Sequence, residues 1–380
     1  MSEIITIEKV IHGGFGLART EHGAVLVPGT LPGETVEAEY IGKRHGIEMV
    51  AVVRILEPSP DRRTPPCRHF GICGGCDWLF MEYSAQLELK KVIFLESMER
   101  IGRLQSVPDP ELFPSPEFGY RRRAQLKINA QRKAGFFKRG SNDVVEIDNC
   151  PLLTERINGL MQAINDTPLL TEKTCNLPVI DGDTILASAP PVAGFSFRQT
   201  TVTLGKHSFD LIGTSFFQGN RFLVENLGKW GTQWGKGETF LDLYGGTGFF
   251  SLMFADGIRR GWLIESERKM VDQARENFRK NGVDHIAAVA SSAEKMEQFL
   301  PRTLSVMVVD PPRPGLTRKV REAVARIAPD TIVYVSCNCT TQARDCGFLC
   351  NRAGYHMVAS ALFDLYPSTH HIESVIVLQK

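Results

Sequence analysis

The chain has 380 residues, 43% of them apolar, and 44 basic against 43 acidic side chains give a net charge of +1. That length is enough for two or three domains with filled cores. With no basic-then-apolar leader and no apolar run near the roughly 18 to 20 residues that span a bilayer, a cytoplasmic globular protein outside the membrane is expected.

Residues 3 to 57 read as short strands, Ile5 to Ile7, Gly23 to Val27, Thr35 to Tyr40 and Met49 to Leu56, separated by turn pairs such as Gly13-Gly14 and Pro32-Gly33. This predicts a small five-stranded barrel. The string Gly-Gly-Phe-Gly-Leu-Ala at 13 to 18, with Val27-Pro28-Gly29 and Pro32-Gly33-Glu34, resembles the TRAM domain, an oligonucleotide-fold module of RNA-modifying enzymes.

A proline-rich stretch at 58 to 66 reads as a linker or rigid turn. Nine cysteines in such a protein suggest metal binding or catalysis rather than disulfides. Cys67, Cys73 and Cys76 follow the linker with Gly74-Gly75 between the last two, and Cys150 lies far downstream before Pro151. Four thiols in this pattern suit zinc or an iron–sulfur cluster equally well. Ser84 to Gly102 reads as an amphipathic helix presenting Leu87, Val92, Leu95, Met98 and Ile101, able to dock on a later domain. Between Gly119 and Phe209 the pattern predicts an antiparallel domain, with strands at 124–129, 135–138 and 143–147, a helix from Glu155 and strands near Phe195 to Thr203. It carries a basic run, Arg121, Arg122, Arg123, Lys127, Arg132, Lys133, Lys138 and Arg139, with no acid between and with Tyr120, Phe136 and Phe137 in or beside it. Such a run is either a solvated face or a nucleic-acid surface, where aromatic faces among cations take stacked bases and phosphates.

From Thr239 strand and helix alternate. A strand enters Gly245-Gly246-Thr247-Gly248, a second ends in Glu265, and five more follow, which predicts a seven-stranded Rossmann-like sheet. Glycine loop and acid admit either NAD or S-adenosylmethionine. Phe249 and Phe250 spoil a G-x-G-x-x-G fit, and Asp310-Pro311-Pro312 after the fourth strand favours the methyl donor. The fifth, Thr331 to Val335, delivers Cys337 to a strand end, where open α/β sheets place their chemistry. A thiolate adding to C6 of a pyrimidine makes C5 enolate-like and able to take a methyl group, after which a base must remove the C5 proton. Glu373, in His370-His371-Ile372-Glu373, is the candidate base.

Ser336-Cys337-Asn338 with Thr341, Asp310-Pro311, Phe217-Gln218-x-Asn220 and His371-Ile372-Glu373-Ser374 together resemble the RNA uracil-5-methyltransferases, and with the TRAM-like front and four cysteines most resemble the 23S ribosomal RNA branch. The resemblance implies a multidomain α/β and β protein: a TRAM-like RNA-binding β-barrel at 1–58, an iron–sulfur RNA-binding domain at 59–202 and a methyltransferase domain at 203–380. It implies Cys337 as nucleophile and Glu373 as base. Gln218, Tyr244, Gly246, Phe249, Glu265 and Asp310 are then the S-adenosylmethionine contacts, and Cys67, Cys73, Cys76 and Cys150 the ligands of a 4Fe–4S cluster. Arg121, Arg122, Arg123, Lys127, Phe136, Lys138 and Arg139 are expected to contact RNA, with 23S ribosomal RNA favoured over transfer RNA and no stable protein partner. The RNA cytosine-5 enzymes carry a cysteine where Arg313 follows Pro312, so uracil is the expected base. The chain departs from the family pattern with Gly245 for Cys, Phe249 for a small polar residue and Cys339 for Pro, and strand geometry points Cys339 to the side of Cys337.

Overall fold

Six strands form the N-terminal sheet: β1 (Ser2–Thr6), β2 (Lys9–Ile11), β3 (Phe15–Thr20), β4 (Gly23–Pro28), β5 (Thr35–Arg44) and β6 (Ile47–Glu57), in the order β1-β5-β6-β4-β3-β2. The computed structural model describes residues 2–131, 133–166, 175–187, 199–213 and 215–380. Alternate side chains such as Ile5, Ala18, Val27, Val36 and Val50 meet in one apolar core, so the sheet curls over itself. The five expected strands are six because Gly13 and Gly14, at φ 94° and 82°, close a tight hairpin that pairs β2 with β3 instead of merely separating strands.

Helix α1 (Tyr83–Arg100) and the short strand β7 (Glu111–Phe113) precede the central sheet. That sheet contains β8 (Arg123–Ile128), β9 (Ala134–Phe137), β10 (Val144–Glu146), β11 (Cys175–Asp181) and β12 (Ile185–Ala187), antiparallel in the order β10-β9-β8-β11-β12. Helix α2 (Glu155–Asp166) packs Ile157, Leu160, Met161 and Ile164 on its apolar face. Of the strand expected near Phe195 to Thr203, residues 195–198 lie outside the described residues; the rest is β13 (Gln199–Leu204), hairpinned with β14 (His207–Ile212). The boundary at 202/203 falls inside β13, whose Val202 and Leu204 pack with Phe209 and Leu211 into the C-terminal core.

The C-terminal part alternates α3 (Val224–Thr232), β15 (Gly237–Leu243), α4 (Phe249–Phe254), β16 (Ile258–Glu265), α5 (Arg268–Lys280), β17 (Ile286–Ala290), β18 (Val306–Val309), α6 (Arg318–Ile327), β19 (Thr331–Ser336), α7 (Cys339–Ala353), β20 (His356–Phe363) and β21 (Glu373–Gln379). The sheet order is β17-β16-β15-β18-β19-β21-β20-β7. Its seven expected strands gain an eighth, because β7 from upstream pairs parallel to β20 at the edge. Helices α1, α6 and α7 cover one face; α3, α4, α5 and the β13–β14 hairpin cover the other. Among the described residues no helix is long and apolar enough to cross a membrane.

The apolar stripe expected of α1 is only part of its buried face: Met98 is in the core, Leu95 packs against it and Leu87 is half-buried. Val92 and Ile101 are exposed, while Gln86, Lys90, Ile93, Phe94, Ser97 and Met98 are buried. Polar side chains act as clips here: Gln86 donates to the carbonyls of Trp78 and Met81, and Lys90 Nζ meets Asp364 Oδ1 at 2.6 Å with both side chains under 5% exposed. Removing one partner of such a pair strands a buried charge. Lys90→Met should therefore destabilise the fold by about 3 to 5 kcal/mol in denaturant unfolding, and adding Asp364→Leu should recover most of that loss.

Candidate active site and the four-cysteine cavity

Strands β19 and β21 run antiparallel with Ser336 opposite Ser374, so the next position outward sets Cys337 across from Glu373. Alternation decides the face. Val335 of β19, Val308 of β18, Val375 of β21 and Leu263 of β16 all join the core under α3, α4 and α5. Cys337, Asp310, Glu373 and Glu265 each lie two residues from one of these, and Asp242 lies two beyond Phe240, so all five are directed to that face at one end of the sheet.

This grouping leaves the acids short of cations. Burial and then Asp242 push the Asp310 carboxyl up to about 7, and burial followed by Asp310 raises Glu373 well above the usual carboxylate range. Asp242 is raised to about 6, chiefly by burial, even though its Oδ2 accepts from the backbone N–H and hydroxyl of Ser251. Burial, Glu373 and Asp310 hold the Cys337 thiol up at about 11, opposed by the charge and hydrogen bond of Arg313. Near neutral pH the thiol is therefore protonated in the free protein. His371 is half-buried and its imidazole, lowered to about 3 by burial and then by His370 and Arg313, is neutral.

The motif residues around the thiol build its frame. Asn338 caps α7 by accepting from Thr340 N, and its amide, together with the Thr341 hydroxyl, donates to the Arg313 carbonyl. These bonds tie the loop after β18 to the strand end that carries Cys337. Asn220 donates to Ser115 Oγ and to the carbonyls of Asp364 and Leu365 and accepts from the N–H groups of Phe222 and Leu223, which makes it a clip rather than a contact residue.

Of the expected cofactor contacts, Gln218 is buried with Oε1 unpartnered; Asp242, which the sequence reading did not single out, likewise leaves Oδ1 unpartnered. Tyr244 adopts φ 66° at the end of β15, and Gly246, at φ 52°, has open space where a side chain would start. Glu265 accepts from Gly246 N through Oε2 and holds its own turn through Oε1. The ring of Phe249 is committed to the core, packed against Phe209, Phe217 and Phe250 with centroids 4.8 to 5.9 Å apart.

Cys67, Cys73, Cys76 and Cys150 line one cavity with Phe70, Leu79, Phe136 and Arg121. Burial raises the thiols of Cys73, Cys76 and Cys150, and Cys76 is raised further by Cys150 and Cys73. Among the described residues, no group of three or more His, Cys, Asp or Glu side chains stands ready to hold a metal ion, so the expected ligand set shares a cavity without closing into a single-ion site. The basic run is divided among different neighbours, with Arg121 ahead of β8 bridging Leu153 and Asn220, and Arg123 and Lys127 within the strand. Arg121 and Phe136 line the cysteine cavity, Arg123 stacks over the exposed Phe216 ring, Lys127 lies over Phe137, Lys138 is exposed, and Arg139 pairs with Asp77. Arg122 is half-buried with Nε and Nη1 unpartnered.

The tRNA (uracil-5-)-methyltransferase family profile matches residues 198–380. An RNA methyltransferase of Aquifex aeolicus is 33% identical over 99% of this chain and 98% of its own length. The 23S rRNA (uracil(1939)-C(5))-methyltransferase of Marinomonas posidonica is 30% identical over 98% of this chain and 94% of its own. The chain belongs to the RNA uracil-5-methyltransferase family. In fold it is similar to the Pyrococcus abyssi tRNA (uracil-54, C5)-methyltransferase solved with S-adenosyl-L-homocysteine, with a TM-score of 0.75 at 22% identity over 98% of this chain and 100% of that one.

Two departures from the family pattern have a packing account. A Cβ on Gly245 would stand 2.5 Å from Cγ of Leu263 and 2.9 Å from Cγ of Asp242, so Leu263 fills the space a cysteine would need. Cys339 does not share the side of Cys337. The chain turns into α7 at that residue, a position where proline is also tolerated, and its thiol is buried 3.5 Å from Ser97 Oγ and 3.6 Å from His12 Nδ1.

Sequence reasoning passed over Arg313 as a working group, although it follows the Asp-Pro-Pro motif, and it gave no sign of His12 or Asp77, which reach this region from distant segments. The electrostatics make a direct prediction. Alkylation of Cys337, followed by peptide mass spectrometry, should be slow at pH 7 and rise until about pH 11 as the thiolate forms; Arg313→Ala removes a stabilising cation and should slow it a further three- to tenfold or so at pH 8.

Proposed function

We propose that this RNA uracil-5-methyltransferase modifies a uridine of 23S ribosomal RNA by covalent catalysis through Cys337. The register that sets Cys337 across from Glu373 on one face, with Asp310 beside them, is the observation that carries the chemistry. Cys337 reacts as its thiolate, the form that Arg313 favours and that has already lost its proton to solvent; Sγ adds to C6 of the uracil, and the carbonyl beside C5 takes up the electron pair as an enolate. The cofactor, when bound, supplies an electrophilic methyl group. C5 forms its new bond, Glu373 takes the C5 proton, and the electrons of that C–H bond restore the C5–C6 double bond as the bond from C6 to Sγ breaks. A flipped or looped base is required, since stacking hides C6.

The residues present suit S-adenosylmethionine. Gln218 Oε1 and Asp242 Oδ1 await partners, Gly246 leaves room for a close approach, and Asp242, Asp310 and Glu373 form a cation-poor acidic group that a sulfonium would neutralise. The phosphates of NAD would meet the same acids as like charge, which disfavours the dehydrogenase reading. Cationic cofactor near Asp310 and Glu373 would also favour the ionised form of Glu373, the form that accepts a proton.

The four-cysteine cavity suits a 4Fe–4S cluster held by Cys67, Cys73, Cys76 and Cys150. Its walls join Phe70, Leu79, Phe136 and Ile147 to His69 and Arg121, and its half-buried thiols need a cationic centre to be held as thiolates. Such a cluster braces structure, because methyl transfer from a sulfonium is redox-neutral. The curled N-terminal sheet, with Tyr40, Ile41 and Val53 exposed near Arg44 and Arg54, serves as a TRAM-like RNA surface alongside Arg121, Arg122, Arg123, Lys127, Lys138 and Arg139.

Support for 23S ribosomal RNA comes from relatives of that activity that align from end to end, whereas the tRNA enzyme contributes likeness of fold alone. Labelled S-adenosylmethionine and unmethylated ribosomal and transfer RNAs decide the substrate by mapping 5-methyluridine. Product in 23S RNA is expected; product in transfer RNA alone would move the substrate and keep the chemistry. Cys337→Ala should abolish both adduct and turnover, and Glu373→Gln should accumulate a methylated covalent adduct stable to denaturing gels. Anaerobically purified protein should hold about four iron atoms and four labile sulfides per chain, lost in Cys76→Ser.

A further inference from the structure

Asp77 follows Cys76 immediately, yet its carboxylate is engaged with the other end of the chain. Its Oδ2 lies 2.6 Å from His370 Nδ1, and its Oδ1 accepts from Arg139 Nη1 at 2.9 Å, while Arg139 Nη2 donates to the Cys76 carbonyl. Bonds of this charge-assisted kind are short and directional. The backbone joins the same two segments, since the N–H groups of Asp77 and Trp78 both donate to the Ser368 carbonyl, at 3.1 and 3.0 Å.

Ser368 is fully buried at φ 64°, a left-handed conformation that a non-glycine residue keeps only when its surroundings hold it. Its N–H donates to Gln86 Oε1 at 2.7 Å and its hydroxyl to Glu117 Oε1 at 3.1 Å. Beyond it, the rings of His370 and His371 lie 4.4 Å apart, and Gly14 of the N-terminal hairpin presses on His370 so closely that a Cβ there would stand 2.8 Å from His370 Cβ. Glu373, two residues past His371, is the first residue of β21. Whatever fixes 368–372 fixes the strand end from which the carboxylate projects.

We propose that Asp77 is a positioning residue that, through His370, ties the four-cysteine wall to the segment bearing Glu373, so that filling of the cysteine cavity governs how firmly that carboxylate is held. This rests on the cluster and base readings above. A cluster with no such tie would order only the loop of its own ligands. With the tie, its loss is felt at the base, because one hydrogen bond joins Asp77 to His370 across 293 residues of chain, three residues before Glu373.

The test uses full-length protein with its native metal content. Asp77→Ala, Asp77→Asn, His370→Ala and the double variant Asp77→Ala/His370→Ala are compared with wild type for backbone hydrogen exchange in 366–373, single-turnover methylation, cofactor affinity and iron content. Each alanine variant should speed exchange in that segment and slow methylation about tenfold while changing cofactor affinity and iron by less than about twofold. The double variant should be no slower than either single one, and Asp77→Asn, which keeps an acceptor for His370, should recover most of the rate. Removing iron from wild type should speed exchange in 366–373, but should add little in Asp77→Ala. Unchanged exchange and turnover in Asp77→Ala would overturn the proposal, as would loss of iron in Asp77→Ala with His370→Ala fully active. Wild type that holds no iron would defeat the cluster reading and with it the control by cavity filling, while the exchange comparison would still decide whether Asp77 positions the segment. Loss of methylation in Cys337→Ala with an active Glu373→Gln would instead remove the base reading alone.

Discussion

Everything at the site depends on one pairing, the antiparallel seating of β21 between β19 and β20. A slip of one residue would turn Glu373 to the opposite face, beneath α1 and α7, and bring Ser374 opposite Cys337. The register is held by both neighbours of β21, and by the Ser374 hydroxyl, which donates to Gln342 Oε1 at 2.6 Å and links the strand to α7. The thiol and the carboxylate are thus fixed relative to one another by backbone hydrogen bonds in a buried sheet, the least deformable part of the molecule.

The acidic group on that face is electrostatically unfavourable in the free protein. Asp242 and Glu373 are buried beside the half-buried Asp310, and Arg313 is the cation that eases the thiol among them. Arrangements that cost stability and lack a structural return are common where a charged ligand completes them. In the proposed reading, a cationic methyl donor provides that completion.

Distant segments converge on this strand end. His12 and Gly14 arrive from the N-terminal hairpin, Asp77 from beside the cysteine cavity, and Lys90 and Ser97 from α1. The parts of the chain that read as separate modules therefore share walls at one place, consistent with relatives that align with the whole chain and not only with its catalytic part.

The sequence by itself determined the order of the elements and the family, and it set out the candidate chemistry-bearing residues. Alternation, glycine turns and an ordered set of motifs are local properties, and the strand that ends at Ser336-Cys337-Asn338 is legible without any partner. It left Phe249 among the cofactor contacts, Cys339 beside Cys337, the polar clips of α1 unseen and the separate neighbours of the basic residues undistinguished. Each of these depends on what lies across a contact: the Phe209 and Phe217 rings, the turn into α7, the Asp364 carboxylate, and strand pairing that sends Arg121 and Arg123 to different neighbours. Tertiary structure alone decided that Glu373 meets Cys337 and that Asp77 meets His370, because residues hundreds of positions apart become neighbours only through the register of strands and the packing of layers, which no local pattern encodes.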